Sequence, residues 1–183
     1  MMNLQTITSR ETDPLESAVM TIGKMEAGDR FNILPARAYM EGTCRCFSPA
    51  VRDTLAASIS RIAENTAAAF RATAQVRYEF ACPATINDEA LAILAQNSIK
   101  KLFGPQGLIA KAPEMGSEDF AFFAEKIPAA YAYLGIANPA VGACYPEHNA
   151  HYTIDENALQ VGAAAYAQFA LDFLTIPTVS KNR

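Results

Sequence analysis

Between Ala36 and Phe47 the chain reads ARAYMEGTCRCF, and this alternation leaves little choice of local structure. In an extended strand successive side chains point to opposite faces. Ala38, Met40, Cys44 and Cys46 therefore share one side, and Arg37, Tyr39, Glu41, Thr43 and Arg45 share the other. A ribbon with one apolar face must lay that face against something apolar. The sequence supplies a partner at once. Ser48 and Pro49 are the residue types of an N-cap and a first helical position, and Val51, Leu55, Ile59, Ile62, Ala63 and Phe70 follow at helical spacing.

The flanking sequence extends this α+β pattern. Residues 3 to 10 read as the tail of a helix, broken at Thr12-Asp13-Pro14 because proline cannot continue one. SAVMTIGKM alternates with Ala18, Met20 and Ile22 in phase, and QVRYEFAC does so with Val76, Tyr78, Phe80 and Cys82. The stretch up to about Cys82 is thus expected to run helix, strand, strand, helix, strand.

Beyond Pro83 the texture changes. A helix is expected to open at Asn87 or Asp88, to bury Leu91, Leu94, Ala95, Ile99 and Leu102, and to stop at Gly104-Pro105. GLIAKAP fits a short strand and AYAYLGIA a buried one. Ser117 is placed to cap a helix carrying Glu118 and Asp119 in its first turn. Asp155 is placed to cap a final helix with Leu159, Val161, Ala165, Tyr166, Phe169, Phe173 and Leu174. Helix and strand alternate here as in an α/β domain. The final helix is apolar around much of its circumference, so it expects a larger sheet than these short strands can make.

Composition narrows the functional classes. With 183 residues and 51% hydrophobic content the chain has ample material for a core. Its 15 basic and 19 acidic residues form no cationic stripe, which argues against nucleic acid as a partner. The N-terminal stretch has none of the marks of a signal peptide, and no run is apolar for long enough to span a bilayer, so we read the chain as cytoplasmic. In a reducing compartment Cys44, Cys46, Cys82 and Cys144 are expected as small buried hydrophobes rather than as disulfides or a metal cluster. The motifs G-x-S-x-G, the P-loop, the dinucleotide fingerprint and H-E-x-x-H are all absent.

Taken singly, the polar candidates have plain explanations. Glu118 and Asp119 suit a helix dipole, Asn32 a turn, and Arg45 a cross-strand ion pair. The two histidines, His148 and His151, sit together in the loop CYPEHNAHYT, and a metal site needs more ligands than these.

Taken together, DRFNILPARAYMEGTCRCF, MGSEDFAFF and EHNAHYTIDENAL, in this order, resemble the C-terminal half of the metal-dependent aminoacylase and carboxypeptidase family. That family includes hippurate hydrolases, aminobenzoyl-glutamate hydrolases and auxin-conjugate amidohydrolases. The similarity runs from about Leu4 to Leu174.

The resemblance implies a two-domain assembly, mixing α/β and α+β. Residues 1–83 would be part of an inserted α+β lid that forms a homodimer, and residues 84–183 the C-terminal part of an α/β catalytic domain of the zinc-peptidase kind. It implies that His148 is a metal ligand, in a pattern where Ala150 replaces the usual proline. It implies that Asn32 and Arg45 grip the carboxylate of an N-acyl amino acid, and that Gly116, Ser117 and Glu118 line the pocket, with no firm role for Glu118.

The full-length family enzymes hold two divalent ions, zinc or manganese, and use a carboxylate to activate a metal-bound water for attack on an amide. The resemblance places the general base, the remaining ligands and a lid histidine ahead of Met1, so no catalytic residue is assigned in this chain. On this reading Met1 or Met2 corresponds to an internal methionine, and the chain is a fragment without a full metal site and inactive alone. Two other readings stay open: a stand-alone dimerisation or small-molecule-binding module, and a structural oligomer that covers the apolar surface left by a missing sheet. The preferred acyl group and amino acid are not legible.

Overall fold

The alternation around Cys44 becomes an antiparallel hairpin in which β1 (Ala18–Ala27) pairs with β2 (Ala38–Cys46), Ala18 opposite Cys46 and Ala27 opposite Ala38. The structure, a computed structural model, describes residues 1–176. The register slips once, between Ile22 and Lys24, and leaves Gly23 without a partner. This bulge answers a shift in the sequence pattern. Apolar residues of β1 occupy even positions up to Ile22 and odd positions from Met25, and one extra residue restores the phase. Met25 thereby faces the same side as Met20 and lies opposite Met40, while Lys24 joins the polar face opposite Glu41. There its ammonium lies 3.0 Å from Glu26 and 3.8 Å from Glu41.

Helix α1 (Pro49–Ala69) opens as expected, with the Ser48 hydroxyl accepting from the Val51 amide at 3.5 Å. Its inward stripe places Leu55 and Ile62 against Leu4, Ile7 and Met20, with Val51, Ile59, Ile22, Cys44 and Cys46 around them. Phe70 departs from expectation: it is the C-cap and is exposed, because Arg71 turns the backbone left-handed (φ 58°) and ends the stripe one residue early.

The expected strands at 75–82, 107–113 and 130–137 carry no ladder, and among the described residues the only sheet is the β1–β2 pair. Period-two patterning reports which side chains are buried. A strand also needs a neighbouring backbone about 4.8 Å away, and the pattern is silent on that. The burial alternation holds only in part: Ala74, Val76 and Tyr78 are half-buried between exposed neighbours, but Phe80 is exposed, and so are Tyr133 and Leu134 of the segment expected to be buried.

Two compact units result, one of Met1–Ala84 with Pro113–Asp119 and one of Thr85–Ala112 with the residues from Phe120 onward. In the second, α2 (Glu89–Phe103) is capped by Asp88, whose carboxylate accepts from the Leu91 amide at 2.9 Å, and it ends at Gly104 (φ 73°). It packs on α4 (Asn157–Leu174). The buried residue of α2 is Ser98. Leu91, Leu94, Ala95 and Ile99 are half-covered and Leu102 is exposed, contrary to the expected leucine core. On α4 no residue is buried, and Leu159, Tyr166, Leu171 and Leu174 are exposed. A helix pair alone covers one stripe of each partner, so the rest of an all-round apolar helix stays open.

Between these helices lies a short α3 (Ala121–Ala124), whose N-cap is Phe120 rather than Ser117 and whose first turn holds no acid. The dipole reading of Glu118 and Asp119 therefore fails: both precede the helix. No helix among the described residues is long and apolar enough to cross a membrane. All four cysteines are free thiols; Cys44, Cys46 and Cys82 are half-buried, and Cys144 is exposed, against the expectation of burial.

Candidate binding and metal-ligand residues

Five of the six sequence candidates belong to the first unit: Asn32, Arg45, Gly116, Ser117 and Glu118. Arg45 sits on the polar face of β2, directly opposite Val19. Its Nη1 donates to the Met115 carbonyl at 2.5 Å, which ties residues 113–119 to the hairpin. One guanidinium carries five N–H donors in a planar fork, so this bond leaves others to meet a carboxylate. Gly116 follows Met115 immediately, and a Cβ placed there would meet nothing within 4 Å. Ser117 is exposed, while Glu118 is half-buried and engaged by a neighbour.

Asn32 occupies the turn closed by the Ile33 amide on the Arg30 carbonyl at 3.4 Å, in the loop that joins the hairpin strands. Its backbone is not left-handed, and its side chain makes no hydrogen bond among the described residues. Arg45 lies toward the other end of β2. The strand rise puts it about 23 Å from Ala38, where the loop rejoins the sheet. No hydrogen bond among the described residues links Asn32 to Arg45 or to the 113–119 segment.

On the apolar side of β2 a pair went unnoticed in the sequence. Burial, with the Cys44 and Cys46 thiols beside it, pushes the Tyr78 phenol up to about 12. Burial also raises the Cys44 and Cys46 thiols. The signal was present as two alternating segments with in-phase polar atoms, but nothing local shows that they meet.

His148 belongs to the second unit. The Asn149 amide donates to the Pro146 carbonyl at 3.3 Å, so His148 is the third residue of a four-residue turn, and its φ is 65°. That position ordinarily goes to glycine, because a Cβ in the left-handed region costs about 1–2 kcal/mol. Among the described residues its imidazole makes no hydrogen bond, ion pair or ring contact. His151 is committed elsewhere: its amide donates to Asn149 Oδ1 at 2.9 Å, and its ring lies 5.4 Å from that of Tyr145.

The loop bearing both histidines is closed at its mouth. Asn138 Nδ2 donates to Asp155 Oδ2 at 2.7 Å, and the Asp155 amide donates to the Ile136 carbonyl at 3.0 Å. Asp155 Oδ1 accepts from the Asn157 amide at 3.0 Å, so Asp155 serves the first residue of α4 although Glu156 is the formal N-cap. The Asn138 bond and those from Asn157 hold its carboxyl below the usual range.

Among the described residues no group of three or more His, Cys, Asp and Glu side chains is placed to share a metal ion. A divalent site needs three or four protein ligands, so His148 fits as one donor and these residues do not complete a dinuclear set.

Residues 5–172 match Peptidase family M20/M25/M40. An IAA-amino acid hydrolase of Arabidopsis thaliana is 34% identical over 178 residues, covering 95% of this chain and 40% of the relative. The N-acetyl-L-cysteine deacetylase of Bacillus subtilis is 35% identical over 156 residues, covering 85% and 36%.

Among solved structures, a protein of methicillin-resistant Staphylococcus aureus superposes with a TM-score of 0.86 at 30% identity over 95% of this chain and 44% of the other. A Bacillus subtilis dinuclear metal binding peptidase from the M20 family does so with a TM-score of 0.78 at 30% identity, over 94% and 45%. The chain thus spans less than half the length of these relatives. With this match over nearly its whole length, the mixed α/β chain belongs to Peptidase family M20/M25/M40.

Proposed function

We propose that this chain is the carboxylate-recognition and last-ligand segment of a metal-dependent amidohydrolase that cleaves the amide bond of N-acyl or N-aroyl amino acids. The observation that carries the reading is His148, an imidazole with no partner among the described residues, held in a left-handed turn where glycine would cost nothing. Backbone strain of this kind persists where a side chain is needed in one place. Family membership and the hydrolases and deacetylase among the relatives support the activity.

In this reading Arg45 grips the substrate carboxylate through the N–H donors not used on Met115, with the Asn32 amide as a second donor and Gly116, Ser117 and Glu118 lining the pocket. A forked donor fixes a carboxylate in orientation as well as position, and so sets the direction of the scissile amide. His148 supplies one neutral imidazole to a divalent ion, zinc or manganese, whose chemistry when bound is to polarise the amide carbonyl and to acidify water. The described residues supply neither the other ligands nor a general base, so the chain alone is inactive and no catalytic step is assigned to it.

The lid hairpin is the proposed homodimer contact, supported by the exposed Met25 and Met40 at the loop end of its apolar face. The second reading, a binding module without catalysis, shares the recognition residues and differs in having no use for His148.

Calorimetric titration with N-benzoylglycine tests recognition. Binding that is lost in Arg45→Ala, and absent for benzamide, which has no carboxylate, supports the assignment; equal binding of the two ligands refutes it. Two tightly bound metal equivalents in the purified chain, or hydrolysis of N-benzoylglycine above blank, would overturn the claim of inactivity. A monomer by light scattering would overturn the dimer.

A further inference from the structure

We propose that Asn138 and Asp155 are a positioning pair for His148, holding it in its left-handed turn and so fixing the direction in which its imidazole leaves the loop. The proposal rests on the reading of His148 as a metal ligand and adds the residues that aim it.

The loop runs from Asn138 to Asp155, and these two side chains join its ends through a bond of 2.7 Å across a separation of 17 residues. Each is held from further directions. The Asn138 amide donates to the Ala143 carbonyl at 2.8 Å, the Ala143 amide returns a bond to the Asn138 carbonyl at 3.0 Å, and Asn138 Oδ1 accepts from the Ala140 amide at 3.0 Å. Asp155 is tied through its own amide to Ile136 and through Oδ1 to both the amide and the side chain of Asn157. The mouth of the loop is thus anchored to the first turn of α4, an element that cannot follow the loop if it relaxes.

Inside, successive bonds from Asn149 to Pro146 and from Tyr152 to Asn149 form two linked turns. The mouth that bounds this path is closed by the Asn138–Asp155 side-chain bond and by the Asp155 amide on the Ile136 carbonyl. A residue with a Cβ returns to negative φ when released, because the left-handed well is the higher one. The strain at His148 therefore has to be maintained from outside the turn, and among the described residues the Asn138–Asp155 bond is the side-chain contact that closes the loop. Metal-ligating histidines are commonly aimed by outer groups whose loss weakens the site, although those usually touch the ring itself. Here the aim is set through the backbone.

The exchange of roles between the two residues provides the test. Asn138→Ala and Asp155→Ala each remove the bond between the two side chains, and N138D/D155N restores it with the two groups interchanged. A φ near 65° eclipses the N–H and Cα–H bonds, so His148 should give an intraresidue HN–Hα Overhauser effect far stronger than its neighbours do. In both single variants this effect should fall to the neighbours' level, and in the double variant it should return. Asn138→Gln, which keeps the amide on a longer arm, replaces Asn138→Ala if that variant does not fold.

Persistence of the strong effect in both single variants overturns the proposal. So does a double variant that recovers the thermal midpoint without recovering the effect, since that would make the pair structural only. Manganese(II) added to the unaltered chain separates this from the reading beneath it. Broadening of the His148 ring signals ahead of those of His151 supports metal ligation. Equal broadening refutes ligation, while the Overhauser measurement still decides the fate of the positioning pair.

Discussion

Ser98, buried near the middle of α2, donates its hydroxyl to the Asp172 carboxylate of α4 at 2.6 Å. The same carboxylate accepts from Lys101 at 2.6 Å and Gln168 at 3.0 Å. Two helices otherwise joined by half-covered apolar residues are thereby fixed in register at one polar point. These bonds, the one to Lys101 foremost, hold the Asp172 carboxyl below its ordinary value of 3.8. The unfolded state then binds the proton first as pH falls. The contribution is complete above about pH 4 and is lost as pH drops through the lower folded value. Asp172→Asn should therefore lower the thermal midpoint at pH 7, by an amount that shrinks as pH falls below the ordinary value of 3.8, measured by circular dichroism. A constant difference across that range would contradict the linkage.

Removing the donor gives a different signature. Ser98→Ala deletes one buried hydroxyl while Lys101 and Gln168 stay on the carboxylate, so urea unfolding should report a loss of about 1 kcal/mol. An unchanged midpoint would mean that the hydroxyl adds nothing beyond the Lys101 contact.

The cost of the left-handed turn can be read directly. His148→Gly removes the Cβ that disfavours φ 65° and should raise stability by about 0.5–1 kcal/mol, net of the extra chain entropy glycine brings. A residue that lowers stability where it stands is explained by function, so a stabilised glycine variant that no longer responds to manganese would join the two halves of the argument. A destabilised variant would show that the turn is not strained.

Two glycines of the hairpin should behave oppositely. A Cβ on Gly42 would collide with the Thr21 carbonyl oxygen and lie 2.9 Å from Ile22 Cδ1, whereas one on Gly23, at the bulge, meets nothing within 4 Å. Gly42→Ala should cost about 2 kcal/mol, because backbone on the facing strand must move, and Gly23→Ala should stay within about 0.5 kcal/mol. Equal effects would mean that the bulge is not where the register places it.

Thiol labelling should follow burial. Cys144 is exposed, while burial raises the Cys44 and Cys46 thiols. The thiolate is the reacting species, so iodoacetamide at pH 7.5 should tag Cys144 first and Cys44 roughly tenfold more slowly or worse, as followed by peptide mass spectrometry. Comparable rates at the two would place Cys44 at an open surface.

Much of this protein follows from short-range chemistry. Ser48 and Asp88 cap helices where their residue types say they should, Gly104 ends one, and the faces of β2 are those its alternation dictates. Each of these rests on residues within a turn or two of one another, where backbone sterics and side-chain period decide the outcome. His148 and Arg45 were singled out by the family resemblance alone, and their roles are proposals.

Tertiary structure decided the rest, and for one reason: it concerns groups that meet across long separations. The bond from Ser98 to Asp172 spans 74 residues and that from Arg45 to Met115 spans 70, and no local pattern announces either. The segments around Tyr78 and Tyr133 have strand-like composition and no ladder, because a ladder belongs to two backbones and composition to one. His148 is left-handed although it carries a Cβ, within a loop whose mouth Asn138 and Asp155 close. Sequence named the histidine, and the fold determined the conformation in which it is held.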